Sequence, residues 1–545
     1  MFTGVVTATE IENTDDTLSV DNTNVADIQV NEQAAANTNV VKTFEDTKNI
    51  TKEAQKTIDK NTDTTASKGL PASIKYAGED TATYAQVKDL IENNDIASEL
   101  ILTLNEGVTY EITAPIVIDS KENTKTVTIN GNSSTITGLD TQSFITVSQG
   151  YTLDIQNVTI KNTYSATNGG AIKNYGTLNV ENVTFDHNIA VKKGGAIYSE
   201  GTVDVKDSTF TNNQVTEGKN GPDDGGAAIF AKNTLTVSDS KFESNVAKYT
   251  DDSSSSDGGN GGAIQVLDST GDFIVTNCEF LNNAGRHGGA IMILDNQFRD
   301  QGTRSVTGST FKGNKATYGG AIKSHASITI KDSVFEENEV DGFGNLGTNS
   351  PSGGAVLLMG QTHVITSKIE NCNFTKNVAH NTYSNDAGQG SAVYTYSENA
   401  QIEIKNCEFK ENKAYTGGTI YVRKLANDLT VKDSIFTDNT ITTNSPTVSP
   451  LGTITTSNVE INGLTIDNID ADGTIYVSAA DYAALVNIVN TVKTTQMKDN
   501  ITVTLTGSSY TETETIALDD TFLPESFTID GNGQTINADS HQFLT

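Results

Sequence analysis

The sequence predicts an all-β solenoid, a parallel β-helix closed by short helices, and three observations predict it. Phenylalanine with asparagine three residues later recurs nine times: Phe185 and Asn188, Phe210 and Asn213, Phe242 and Asn245, Phe280 and Asn283, Phe311 and Asn314, Phe335 and Asn338, Phe374 and Asn377, Phe409 and Asn412, Phe436 and Asn439. Gly-Gly-Ala or a close variant alternates with it, at Gly169, Gly194, Gly225, Gly261, Gly288, Gly319 and Gly353, weakening to GSAV at Gly390 and GGTI at Gly417. The shortest steps, 25 residues from Phe185 to Phe210 and 24 from Phe311 to Phe335, suit one turn of a β-solenoid and are too short for a helical-pair repeat of about 33 or more. Composition agrees, with no Trp, 7 Pro and 46 Gly among abundant Asn, Thr, Ser and Asp, a mixture for short strands and many turns.

Within one repeat the residue five before Phe is always β-branched: Val180, Val205, Val237, Val275, Val306, Ile330, Ile369, Ile404 and Val431. The residue two before Phe is small: Val183, Ser208, Ser240, Cys278, Ser309, Ser333, Cys372, Cys407 and Ser434, and Asn or Asp precedes nearly all of them. Apolar residues therefore alternate up to a polar turn, the phase slips there by one, and the small residue and Phe share the inward face of the next strand. The Asn that closes the motif stands where a turn needs a residue tolerant of the left-handed region, and stacked Asn side chains can bond from coil to coil. Gly-Gly reads as a tight corner, since no following helix or Lys makes it a phosphate cradle.

Three regions follow along the chain. Residues 1–70 are rich in Asn, Asp and Thr with few aromatics, predicting a disordered linker; MFTGVVTATE at its start carries Val6 and Ala8 at the spacing of a signal-peptide cleavage site. Residues 71–470 read as the β-helix, opened by an amphipathic helix at TYAQVKDLIENN from Thr83 that caps the apolar end of the stack. About a dozen coils at ~4.8 Å each make a stack on the order of 55 to 60 Å. Residues 471–545 repeat that opening: DYAALVNIVNTV from Asp481 echoes the first helix, and SFTIDGNGQTINADSHQFLT (526–545) echoes TVTINGNSSTITGLDTQSFIT (126–146). They predict the cap and first strands of a second, truncated β-helix.

A formal charge of −33 disfavours nucleic acid and anionic membrane surfaces as partners, and no apolar run approaches the roughly 18 residues of a membrane span. The 3 Cys all fall in the inward small-residue column, so they read as buried hydrophobes, with a disulfide between Cys372 and Cys407 conceivable. The 6 His stand at unrelated repeat positions and suggest no metal or triad cluster; no cofactor is expected. Six Asn-x-Ser/Thr sequons are near background for so Asn-rich a chain.

The alternation of GGA[ILV] with FxxN over residues 160–440 resembles the repeats of chlamydial polymorphic outer-membrane proteins and of adhesin-like surface proteins of methanogenic archaea. The resemblance implies a right-handed parallel β-helix displayed at the cell surface or secreted, and used in attachment. The match carries over onto the Phe and Asn positions named above, as structural residues; the family brings no catalytic residues. The resemblance does not extend to the family's membrane anchor or translocator, so it implies no particular mode of anchoring.

Function is expected where the coils depart from the minimal form. From the motif Asn to the next Gly pair, short coils step 5 or 6 residues, as from Asn188 to Gly194, while four others step 12, 16, 15 and 13 (Asn213 to Gly225, Asn245 to Gly261, Asn338 to Gly353, Asn377 to Gly390). Coils stacked in register put these insertions at one corner, which makes that corner the expected contact face for an unknown surface glycan or protein. Tyr249, Asp251, Asp252, Phe343 and Tyr383 are its candidate ligand-binding residues, the aromatics for stacking and the carboxylates, with Asp223, Asp224 and Asp257, as hard oxygen donors. A mechanical surface spacer is one alternative. A β-helical polysaccharide lyase or hydrolase is another, and would need facing carboxylates or a positioned base, for which Asp251 with Asp252 and Arg286 beside His287 are the nearest candidates. The expectation is a binding protein and not an enzyme.

Overall fold

The computed structural model describes residues 40–43, 73–77 and 83–537, apart from 94, 96, 120–121, 218–223, 249–258, 296–300, 343–350, 361–363, 382–387, 398–399, 424–427, 443–446, 451–452, 471 and 520. Every element below belongs to the unit Thr38–Thr545. The chain is a parallel β-helix. Each coil lays four short strands side by side with the same four strands of the next coil, and these ladders between coils are parallel. A representative coil runs Ile197–Ser199, Thr202–Lys206, Thr209–Thr211 and Gln214–Val215. The first of these belongs to a sheet that holds 12 strands among the described residues, called here the second sheet; the next two form the two ladders of the first sheet, and the last belongs to the third.

Alternation and the phase slip occur as the sequence implies. Thr202–Lys206 alternates exposed and buried, Asp207 takes φ of 48°, and Ser208 and Phe210 then both face inward, at 2% and 0% exposure. Ser208 does more than fill space: its hydroxyl accepts the Val183 N–H at 3.1 Å and donates to the Lys206 carbonyl at 2.7 Å. The three Cys are free and buried in this column, and burial pushes the Cys278 thiol up to about 11. Phe rings stack coil on coil, with centroids 4.8 Å apart and planes within 10° from Phe185 to Phe210 and 2° from Phe280 to Phe311.

The motif Asn corrects one expectation. The left-handed residue is the one before it: His187 at φ of 53°, Asn212 at 56°, Ser244 at 56°, Glu337 at 55° and Lys376 at 56°. The Asn itself is buried and belongs to a continuous amide ladder, as in Asn188 Nδ2 to Asn213 Oδ1 at 2.9 Å and Asn213 to Asn245 at 2.9 Å, onward to Asn439. From Asn213 on, each Oδ1 also accepts the backbone N–H of the Asn in the preceding coil, as Asn188 Oδ1 accepts that of Thr163, and each Nδ2 also donates to a carbonyl of that coil, as Asn213 does to Phe185 at 3.0 Å. All the hydrogen-bonding capacity of the buried amide is used, which is what its burial requires. A residue committed inward cannot also supply the turn.

At the glycine corner two constraints meet. Gly194 has φ of 62°, and a Cβ on Gly195 would lie 2.2 Å from the Ala227 carbonyl oxygen of the next coil. The corner is therefore a close approach of two backbones.

Two helices are present among the described residues, α1 (Tyr84–Asn93) and α2 (Tyr482–Thr494). Helix α1 buries Tyr84, Val87, Leu90 and Ile91 over the first coils. Its polar side closes the sheet edge: Glu92 accepts the Val117 N–H at 2.9 Å, and Lys88 donates to the Pro115 carbonyl at 2.7 Å, blunting a strand that would otherwise offer free pairing groups. Helix α2 starts at the cap Asp481, which accepts the Ala484 N–H at 2.7 Å, and repeats the device: Tyr84 donates to the Ala114 carbonyl and Tyr482 to that of Glu514. Strands Ile475–Ala479, Ile501–Leu505 and Phe527–Asp530 then pair in parallel. The strand Val459–Ile461 turns back antiparallel on Leu464–Ile466 before it, and one apolar core runs from Tyr84 to Ile516. Within the amino-terminal stretch, Val40–Thr43 form a strand parallel to Ser73–Ala77.

Candidate functional site

Strand alternation gives the second sheet an outer face as well as a core face. Ile197 and Ser199 face the core, and Tyr198 between them faces away; Phe230, Met292, Leu357, Tyr394 and Tyr421 follow in the same column. Tyr198, Phe230, Leu267, Met292 and Leu294 form an apolar cluster separate from the core. Aromatic rings meet at the two ends of the column, with Gln265, Met292, Lys323 and Leu357 between: Tyr175 meets Tyr198 edge-on at 6.3 Å, Tyr198 stacks on Phe230 at 5.4 Å, and Tyr394 lies 5.5 Å from Tyr421.

Cations accompany the aromatics. Lys193 Nζ lies 5.0 Å from the Phe230 ring, Lys323 Nζ 5.2 Å from Tyr318, and the Arg423 guanidinium 5.2 Å from Tyr396. These are three separate cation–ring contacts in a chain of charge −33. The pair read from sequence as Arg286 and His287 lies beside the second of them. The His287 ring stacks on Tyr318 at 5.1 Å, its Nδ1 is 2.8 Å from Lys323 Nζ, and burial together with the Lys323 charge holds it well below the usual histidine range, so it is neutral. Where the column begins, a groove of about 350 Å³ is lined by Tyr151, Tyr175, Glu200 and Asn233, with Tyr175 40% exposed.

The corner that carries the insertions lies between the third and second sheets. Of the candidates read from sequence, Tyr249, Asp251, Asp252, Phe343 and Tyr383, with Asp223 and Asp257, lie outside the described residues. Asp224 is described and is buried at 7% exposure, with its carbonyl accepting the Asn260 N–H, so it sits in the wall of the coil. The bases of two insertions are described. Glu339 and Asp341 flank the buried Val340 and share the outer face of the third sheet, and in the next coil His380 follows Ala379, the ladder partner of Val340. His380 Nε2 is 2.6 Å from Glu339 Oε1, while Lys315 holds Glu339 Oε2 at 2.8 Å. Burial raises the Glu339 carboxyl pKa, the Lys315 and His380 hydrogen bonds lower it by more, and the net value is below the usual carboxylate range.

This trio is what sequence reading missed. The signal was present: Asp341 and His380 each stand three residues after a motif Asn, in adjacent coils, so the repeat register places them in one column.

The fold and its side-chain ladders define a parallel β-helical repeat protein. Residues 182–200, which run from the polar turn of one coil through its Phe and Asn to the next second-sheet strand, match the Chlamydia polymorphic membrane protein (Chlamydia_PMP) repeat, and the chain carries repeats of this type. No curated protein and no solved structure matches the chain, so the likeness to methanogen surface proteins rests on the motif alone. Among the described residues no helix is long and apolar enough to cross a membrane.

Proposed function

We propose that the protein is a surface-associated, adhesin-type binding protein whose contact face is the insertion corner together with the outer face of the second sheet beside it. The observation that carries this reading is the half-buried Tyr396 with the exposed Arg423 over its ring and Tyr421 in the next coil, on a sheet face pointing away from the core whose other rings, Tyr198, Phe230 and Tyr394, are buried beneath that surface. The repeat type, named for a membrane protein, supports placement at a cell surface. Flat rings with cations beside them suit a ligand that offers an apolar ring face and negative charge, which favours an acidic glycan over a neutral one.

The test is a glycan and surface-protein binding screen with the full chain, with residues 246–260 and 378–389 shortened to the minimal corner, and with Tyr396→Ala and Arg423→Ala combined. Binding falls at least tenfold in the shortened or the doubly substituted chain if this face makes the contact. Undiminished binding in both overturns the assignment. Release of reducing ends or unsaturated products from polysaccharides would replace it with catalysis.

A further inference from the structure

We propose that Glu339, Asp341 and His380 form a binding site for one first-row transition-metal dication, Zn²⁺ by preference, at the base of the two insertions that begin in adjacent coils. Each residue offers one ligand atom, and the three atoms lie within 4.8 Å of one another. Glu339 lies in one of two stacked strands, and Asp341 and His380 directly follow those strands, whose register is fixed by the ladder pairing Glu339 with Val378 and Val340 with Ala379. The backbone thus positions the donors before any ion arrives; side-chain rotation alone must draw them onto bonds of roughly 2.0 to 2.2 Å. All three are half-buried, so water screens them only in part.

The donor set decides the class of ion. One imidazole nitrogen with two carboxylates suits Zn²⁺, Co²⁺ or Ni²⁺, whereas Ca²⁺ and Mg²⁺ prefer oxygen alone. Lys315 bonds Oε2 of Glu339 and leaves Oε1 towards His380, so it acts as a positioning residue that orients the carboxylate. The three residues leave room in the coordination sphere for water or for a donor from a bound partner. An ion here also ties the start of the insertion after Asn338 to the start of the one after Asn377, reinforcing the backbone pairing and the His380 to Glu339 contact that already join them. The inference goes beyond the surface-binding reading and stands whichever ligand the corner takes.

The experiment titrates the full chain, stripped of metal by a chelator, with Zn²⁺ by calorimetry and with Co²⁺ by visible absorption. One site is expected, with a Co²⁺ spectrum of a nitrogen- and oxygen-ligated ion and a rise in melting temperature on adding Zn²⁺. His380→Ala and Asp341→Asn weaken binding at least tenfold and abolish the rise, while the metal-free melting temperature stays at the parental value. His380→Cys, which keeps a zinc ligand, restores binding, and His380→Gln serves as a second variant if alanine disturbs folding. The proposal is overturned if the parent binds no Zn²⁺, or if His380→Ala and Asp341→Asn bind as tightly as the parent through histidines elsewhere.

Discussion

Two corners of the same coil have opposite tolerance. The corner at the motif Asn never changes length, whereas the next one, between the third and second sheets, takes from 5 residues at Asn283 to Gly288 up to 16 at Asn245 to Gly261. The difference lies in what each corner bonds to. At the first, a buried amide donates and accepts across coils, and any change in length leaves those groups without partners in a place water cannot reach. At the second, the coil is constrained again only where the glycine pair meets the neighbouring backbone, so chain between the third sheet and that point is free to lengthen at small entropic cost.

The largest expected effect comes from an insertion outside this corner that departs from the rule. Asp295 and Arg304 flank the segment between a second-sheet and a first-sheet strand, and their side chains, each 1% exposed, pair at 2.5 Å while Arg304 also donates to the Ser269 carbonyl. Arg304→Ala breaks a buried pair and costs about 3 to 5 kcal/mol in a denaturant titration. A loss below about 1 kcal/mol there would mean that all insertions are equally unconstrained.

Asn283→Ala, in the middle of the ladder, comes next. It removes the acceptor of the Asn245 backbone and side-chain N–H groups and the donor to the Phe242 carbonyl, and should cost about 3 kcal/mol. Asn439→Ala at the half-buried end of the same ladder removes the acceptor of both Asn412 N–H groups and the donor to the Phe409 carbonyl, but water can reach the groups left behind, so it should cost about 1 kcal/mol. Hydrogen exchange of the Asn245 and Asn412 amides measures both; equal costs would show that the ladder does not act through burial. Excising residues 249–258 is the smallest change, within about 1 kcal/mol of the parent by thermal melting. A larger loss would make that corner as structural as the other.

Much of this was legible in the sequence, and for a physical reason. Parallel stacking puts like on like, so the Phe row and the Ser and Cys column announced themselves by repetition, as did the helix that follows Asp481. The left-handed position did not, because His187, Ser244, Glu337 and Lys376 share a backbone conformation and no side-chain chemistry. The outer row of the second sheet was hidden for a similar reason: Tyr198, Phe230, Met292, Leu357 and Tyr394 vary in type, and strand alternation assigns them a face only once the core face is known. Asp341 and His380 escaped notice because chemistry was sought within each insertion, whereas the fold makes neighbours of residues one coil apart.

The amide ladder measures position without measuring chain length. Its successive partners are 25, 32, 38, 31, 24, 39, 35 and 27 residues apart, yet the Nδ2 to Oδ1 distance stays between 2.9 and 3.0 Å. Any segment that begins after one such Asn and ends at the next is therefore an interchangeable cassette. Duplication or loss of a whole cassette by recombination leaves the remaining ladder intact whatever the cassette's length, so the gene can change what the corner carries without re-solving how the coils stack.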